Sequence, residues 1–441
     1  MMGQMTQGVT YCHSLFYATQ PAEELAAFLV DSTGGKMARV FISSSGSEAV
    51  EAALKMARQY HVEKESPEPE RVYFIGRQQS YHGTTLGALG AGGHKARRAI
   101  YEPMLSPNSR FVSPCFAYRY KRAGETDRQY VDRLEAELDA QFRDLGPRKV
   151  AAFIAEPIVG AALGCVPSVP GYFKAARRVC DRYGALLIMD EVMCGVGRCG
   201  PRPSDRFPEP LHAWQDDSVG VAPDIMTMGK ALGGGFQPIA AMMANHKVID
   251  ALAGRTGAFA HGQTYQAHPL CCRAALEVQR IIQEQQLVAN VRRQGQLLGS
   301  LLTEALRDHP HVGDIRGQGL FWGIEFVRDK ARKTPFEYSK AIAMGIHELG
   351  TWIARPAWQP DTSAKTLTGM QAPFNISLYP GNGTVDGVNG DHIILAPAFN
   401  VTTDDIHFIA KTTAAVIDKF FQDKCSPSIS FTRRPKKTSA A

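Results

Sequence analysis

The residue with the most pointed chemistry in this 441-residue chain is a lysine just past a short apolar run. Residues 224–228 form the run and Lys230 follows. Gly233, Gly234 and Gly235 come next, before a second apolar run opened by Pro238. Open α/β sheets present their chemistry at strand ends. A lysine amine placed there can condense with an aldehyde cofactor. The glycine run lets backbone approach a bulky ligand closely. A lone lysine at a turn is otherwise an ordinary surface residue, so the reading depends on partners elsewhere.

Four other stretches offer partners. Residues 38–42 read as a strand, and Ser45, Gly46, Ser47 and Glu48 then open a helix. In it Val50, Ala53, Leu54, Ala57 and Tyr60 recur at helical spacing. Ser45 with Glu48 three residues on predicts a capping box. The helix start would have free amides, which suits a phosphate; an ordinary serine cap is the competing reading. Residues 71–76 read as a strand leading to Tyr81, His82 and Gly83, where the tyrosine either stacks on a flat ring or joins the core. Residues 149–156 read as a strand ending in Glu156, 171–183 as a helix, and 185–189 as an apolar strand ending in Asp190 and Glu191. An acid closing an apolar parallel strand needs a cation or a donor to stay charged. A protonated ring nitrogen would serve, and so would the amides of the next turn. The polar turn around Thr264 offers one more phosphate contact.

Gly195, Gly197 and Gly200 spell a Gly-x-Gly-x-x-Gly pattern after the 185–189 strand. A dinucleotide-binding pattern must open a helix. Pro201 and Pro203 follow instead, and Asp190 and Glu191 at the turn would repel a pyrophosphate. No nicotinamide or flavin site is expected.

The elements that must position these residues alternate strand and helix from residue 38 to 243, which predicts an α/β fold with a mostly parallel sheet. Further helices are expected over 22–30, within 121–148, over 248–252, from 269 through 286 and on to about 302, and over 403–421. Residues 313–327 read as a turn and a strand opening a second unit, 356–391 as loop, and 392–396 as a strand. The expected organisation is an interface segment at 1–30, a large domain at 31–310, a smaller C-terminal α/β domain at 311–424, and a disordered tail at 425–441. Hydrophobic content of 44% and charge of 21% are ordinary for a folded soluble chain. The net charge of +6 is diffuse apart from a basic cluster at 433–437, so no nucleic-acid partner is expected, and no apolar run reaches transmembrane length, so no membrane is expected. Nine cysteines without a Cys-x-x-Cys suit neither a zinc site nor a disulfide framework, so no metal is expected and the cytoplasm is the expected compartment.

A phosphate-binding helix start, an aromatic stacker, an acid for a ring nitrogen and a lysine amine together suit pyridoxal 5′-phosphate. The stretches SSSGSEAVEAALKMARQY, SYHGTTLGALG, IAEPIVG, LLIMDEVMCGVGR, PDIMTMGKALGGGFQPIAAMM, HGQTYQAHP and IRGQGLFWGIEFV, in this order, resemble the class III (omega-type) aminotransferases of fold type I. The resemblance implies the cofactor pyridoxal 5′-phosphate, an amino donor and an oxo acid as substrates, and a homodimer. It implies a Schiff base and proton transfer at Lys230, and Asp190 paired with the pyridine nitrogen. Val192 would pack under the ring with Tyr81 above it and His82 beside it. Ser45, Gly46 and Ser47 would hold the phosphate, Thr264 would reach the phosphate of the neighbouring subunit, and Glu156 would fence the substrate side. Members of the family carry several tens of residues more ahead of the phosphate motif. Extra residues stand at about 201–210 and 357–376. These departures lead to the expectation of an open substrate mouth and weak turnover. A weakly active paralogue that still binds the cofactor, or a decarboxylase or aminomutase of the same family, stays as the alternative.

Overall fold

The computed structural model describes residue 3 and residues 11–14, 16–351 and 374–425. In chain order its strands are β1 (Arg39–Ser43), β2 (Tyr73–Arg77), β3 (Ser109–Val112), β4 (Val150–Ala155), β5 (Ile158–Val159), β6 (Val166–Pro167), β7 (Leu186–Asp190), β8 (Ile225–Met228), β9 (Ala240–Ala244), β10 (Val312–Gln318), β11 (Phe321–Asp329), β12 (Thr334–Pro335), β13 (Tyr379–Asn382) and β14 (Asp391–Leu395). Seven of them form the main sheet in the order β1, β9, β8, β7, β4, β2, β3. The pairs from β8 to β3 are parallel, and β9 runs against both of its neighbours. Six strands therefore point the same way and present their C-terminal ends along one edge.

Both faces of this sheet are covered, which is why its strands read as unbroken apolar runs. Along β7, Leu187 and Met189 face one core while Leu186 and Ile188 face the other, as the two-residue period of a strand requires. The helix Gly46–Glu63 covers one face through Ala49, Ala53 and Met56. The helices Gln20–Asp31, Asp127–Leu145, Tyr172–Tyr183 and Pro269–Glu284 contribute to the other core.

The smaller sheet runs β10, β11, β14, β13 and is antiparallel throughout. Its core takes in Ile324, Phe326 and Ile393 together with Leu298 and Leu302 of the helix Leu287–Leu306, and Ile417 of the helix Thr403–Cys425.

Several expectations need correction. The helix from 269 does not run through to 302: it stops at Glu284, and Gln286, with φ of 51°, turns the chain into a second helix. The 313–327 stretch is a hairpin of two strands, because Gly319, with φ of 57°, makes the reversal. Strand β13 lies within the stretch expected to be loop, and β3 was not foreseen. The capping box at Ser45 is half formed. Its hydroxyl accepts the Glu48 amide at 3.3 Å, but the Glu48 carboxylate takes the Ser44 amide at 2.9 Å, one residue earlier than expected. The insertion expected at 357–376 and the tail from 426 lie wholly or mostly outside the described residues.

Candidate active site

Every site residue foreseen on the main sheet follows the C-terminal end of a same-direction strand. Ser45, Gly46 and Ser47 follow β1, Tyr81 and His82 follow β2, Glu156 follows β4, Asp190 ends β7, and Lys230 follows β8. The fold thus gathers residues separated by up to 185 positions onto one edge.

Asp190 is the anchor. Its Oδ1 accepts from the Val192 amide at 3.0 Å and the Thr227 hydroxyl at 3.1 Å. Its Oδ2 accepts from Nδ1 of the buried His82 at 2.7 Å. Because a carboxylate only accepts, the His82 proton on this side sits on Nδ1. Nε2 of His82 is buried with no partner among the described residues. Thr227 pairs with Asp190 across the β7–β8 register, so a hydroxyl in an apolar strand reaches the acid beside it.

Lys230 opens a single helical turn, Lys230–Leu232, from a left-handed backbone with φ of 42°. A non-glycine residue held there is strained, and such strain concentrates at functional sites. The side chain is exposed in the single chain, yet enough protein surrounds the amine that burial lowers its pKa. Asp190, Glu156 and Cys194 pull it back up, which places Lys230 in the electrostatic field of both acids.

Glu156 is buried, takes the Tyr81 amide at 3.1 Å and the Gly160 amide at 3.0 Å, and has its carboxyl raised by burial. Tyr81 is half-buried, with the Arg97 guanidinium 4.7 Å from its ring centre. Glu191 faces away from this group. It accepts the Ala213 and Trp214 amides at 2.7 and 2.9 Å, and burial pushes it up to about 7.

At the helix start, Ser47 Oγ accepts the Thr84 amide at 3.0 Å, which ties the first turn to the segment after Tyr81. The first-turn amides of Gly46 and Ser47 have no acceptor among the described residues. A Cβ on Gly46 would meet Val192 Cγ1 at 2.7 Å, so the turn after β7 packs directly under the helix start.

Thr264 stands apart. It is exposed, its carbonyl accepts from the Tyr11 hydroxyl at 2.9 Å, and it has no hydrogen bond to the other site residues among those described. Gly195, Gly197 and Gly200 lie in turns and open no helix.

The pattern of the family described as "Aminotransferase class-III" matches residues 2–358. An aminotransferase of Gibberella zeae is 50% identical over 92% of this chain and 74% of its own length. An uncharacterised aminotransferase of Schizosaccharomyces pombe is 41% identical over 94% of this chain and 83% of its own. Among solved structures, the omega transaminase from Pseudomonas jessenii in complex with PMP superposes with a TM-score of 0.81 at 29% identity, over 95% of this chain and 84% of that one. The parallel sheet edge, the match over most of the sequence and these relatives lead to one conclusion: the chain belongs to the class III aminotransferases, with the fold type I architecture and pyridoxal 5′-phosphate as cofactor.

Proposed function

We propose that this chain transfers an amino group from an amine or amino-acid donor to an oxo acid, with Lys230 as its catalytic residue. The observation that carries the reading is Lys230 in a strained turn after β8, in the field of Asp190 at the end of the neighbouring strand. The residues fit pyridoxal 5′-phosphate. Free amides at a helix start suit a phosphate. The glycine at position 46 lets the helix start pack directly on Val192, where a side chain would clash. The buried Asp190 is an acceptor for a protonated ring nitrogen.

When bound, the cofactor supplies an aldehyde that carries the amino group and an electron sink for the pair released at the substrate carbon. The chain supplies the rest. The Lys230 amine would hold the aldehyde group and, once free, would take a proton from the donor carbon and return one to the acceptor. Burial lowers its pKa, so more of it is neutral and able to accept that proton. Asp190, oriented by Thr227, Val192 and His82, would accept from the ring nitrogen. Val192 and Tyr81 would flank the ring. Ser45, Gly46 and Ser47 would hold the phosphate. Glu156 keeps Tyr81 in place through its amide.

The working unit of this reading is a homodimer. Leu86, Ile100, Met104, Phe236 and Tyr265 are exposed, and a dimer interface would cover apolar groups of this kind. Thr264, next to the exposed Tyr265, would then complete the partner's phosphate site. The division into a large domain over 31–310 and a small one over 311–424 belongs to the same proposal, as does a cytoplasmic location. No helix among the described residues is long and apolar enough to cross a membrane.

A panel of terminal amines, omega-amino acids and alpha-amino acids against pyruvate and 2-oxoglutarate tests the reading. Lys230→Ala is expected to lose the visible absorbance band of the bound cofactor and at least about 10³-fold of turnover. A variant that kept both would show that another residue does this work.

A further inference from the structure

We propose that Gln79 is a positioning residue that ties Tyr81 to the smaller sheet, so that the aromatic wall of the site is held by the turn between β13 and β14.

Gln79 is 5% exposed and has a left-handed backbone, with φ of 54°. A residue other than glycine keeps such a conformation only where its surroundings over-determine it. Here they do. Its amide donates to the Gly93 carbonyl at 3.1 Å. Its two side-chain N–H groups reach the Gly383 and Thr384 carbonyls, each at 3.1 Å. Its Oε1 lies 3.0 Å from the Tyr120 hydroxyl, which also lies 3.1 Å from the Val385 carbonyl and serves the two with a single proton. The site therefore asks for two donors and one acceptor at the reach of a glutamine. A glutamate would face two carbonyls with an oxygen, and an asparagine is one carbon short.

Both ends of this link are themselves fixed. On the smaller sheet, Thr384 is buried and donates from Oγ1 to Glu325 Oε1 at 3.2 Å. The buried Glu325 also accepts from Arg119 Nε at 2.8 Å and pairs with Arg316 at 2.7 Å. Arg316 in turn donates from Nε to the Gly164 carbonyl at 2.8 Å. Removing one partner from such a buried cluster leaves a charge unpaired, so the turn has little freedom. On the main sheet, Ser80 Oγ donates to the Arg77 carbonyl at 2.7 Å and accepts the Gly93 amide at 3.1 Å, and the Tyr81 amide goes to Glu156. Only Ser80 separates Gln79 from Tyr81. A rotation at Gln79 is passed through the one residue Ser80 to the aromatic ring. Its side chain touches neither the acid nor the lysine, so its effect on the reaction runs through Tyr81.

The kinetic arm of the test rests on the transaminase reading; the exchange arm does not. Gln79→Ala and Tyr120→Phe are compared with the parent chain by amide hydrogen exchange of cofactor-free protein and by steady-state kinetics of holoenzyme. For Gln79→Ala the amides of Ser80, Tyr81, His82 and Gly83 are expected to exchange at least about tenfold faster while those of β7 hold their rate. The holoenzyme is expected to keep its cofactor content while kcat/KM for the amino donor falls about ten- to hundredfold, the cost of a misplaced wall. Tyr120→Phe leaves both Gln79 N–H bonds in place and should move the same amides by less. Uniform quickening across the main sheet, or no change at these amides, overturns the proposal. If Gln79→Ala fails to fold, Tyr120→Phe decides: local quickening supports the link and its absence refutes it. A parent chain without transaminase activity would sink the proposed function, and the exchange result would still decide the role of Gln79.

Discussion

At the scale of single residues, Lys230 and Asp190 were legible because each closes an apolar run, and a charged group at the end of a buried strand must have something to meet. What they meet within the chain was not legible, because it depends on strand register. Thr227 shows this. A lone hydroxyl inside the run 224–228 is a signal, but only the parallel pairing of β7 with β8 turns it toward Asp190. The same holds for Gln79, whose side-chain amide reaches carbonyls more than 300 residues away. Thr227→Val keeps the shape and removes the donor. A hydrogen bond to a buried charged group contributes about 1.5–3 kcal/mol, and Asp190 Oδ1 retains the Val192 amide, so the low end of that range is expected. Urea unfolding of cofactor-free protein should show a loss of about 1.5 kcal/mol. No loss would mean that the hydroxyl is idle.

At the scale of elements, periodicity located the helix Gly46–Glu63 and placed the strands β1, β2, β4, β7, β8 and β14 to within one or two residues, though it gave the helix no end. It missed features set by single backbone conformations. The break at Gln286 has no glycine or proline to announce it, and the reversal at Gly319 hides inside a stretch that reads as a turn and a single strand. The edge strand β3 is short and only partly apolar, so it carries no clear pattern. The contact between the helix start and the turn after β7 was equally hidden, since it joins elements 146 residues apart. It makes a specific prediction. Gly46→Ala places a Cβ 2.7 Å from Val192 Cγ1, so Val192 or the helix start must shift. Overpacking of this kind costs about 1–3 kcal/mol. The first-turn amides move with the helix, so cofactor affinity should fall about tenfold or more. Adding Val192→Ala makes room and should restore stability in the double variant. If the double variant is as unstable as Gly46→Ala alone, the clash lies elsewhere.

At the scale of the whole molecule, the fold buries histidines that the site does not use, and this sets how the protein responds to acid. Burial pushes His61, His212 and His392 down to about 3 and His94 to about 4. Unfolding returns each ring to an ordinary value near 6.5. A group with a depressed folded pKa contributes no penalty above its unfolded value and destabilises the fold as pH drops below it. Glu191 works against this. Burial raises it to about 7, so the folded chain keeps a proton that the unfolded chain releases above about 4.5. Among these five groups, unfolding at pH 5.5 takes up nearly four protons at the four rings and releases about one at Glu191, a net uptake of about three. Integrated from pH 7 to 5.5, the four rings cost about 5 kcal/mol and Glu191 returns less than 2, leaving a net loss of about 3 kcal/mol. The histidines win because they outnumber the acid. The urea midpoint of cofactor-free protein should fall steadily across this window. His61→Gln keeps a donor for the Ala151 carbonyl, which His61 Nε2 meets at 2.8 Å, and removes one titrating ring. That variant should lose about a quarter of the histidine share of the slope. Stability that stays flat or rises between pH 7 and 5.5 would show that these rings are not held neutral by the fold.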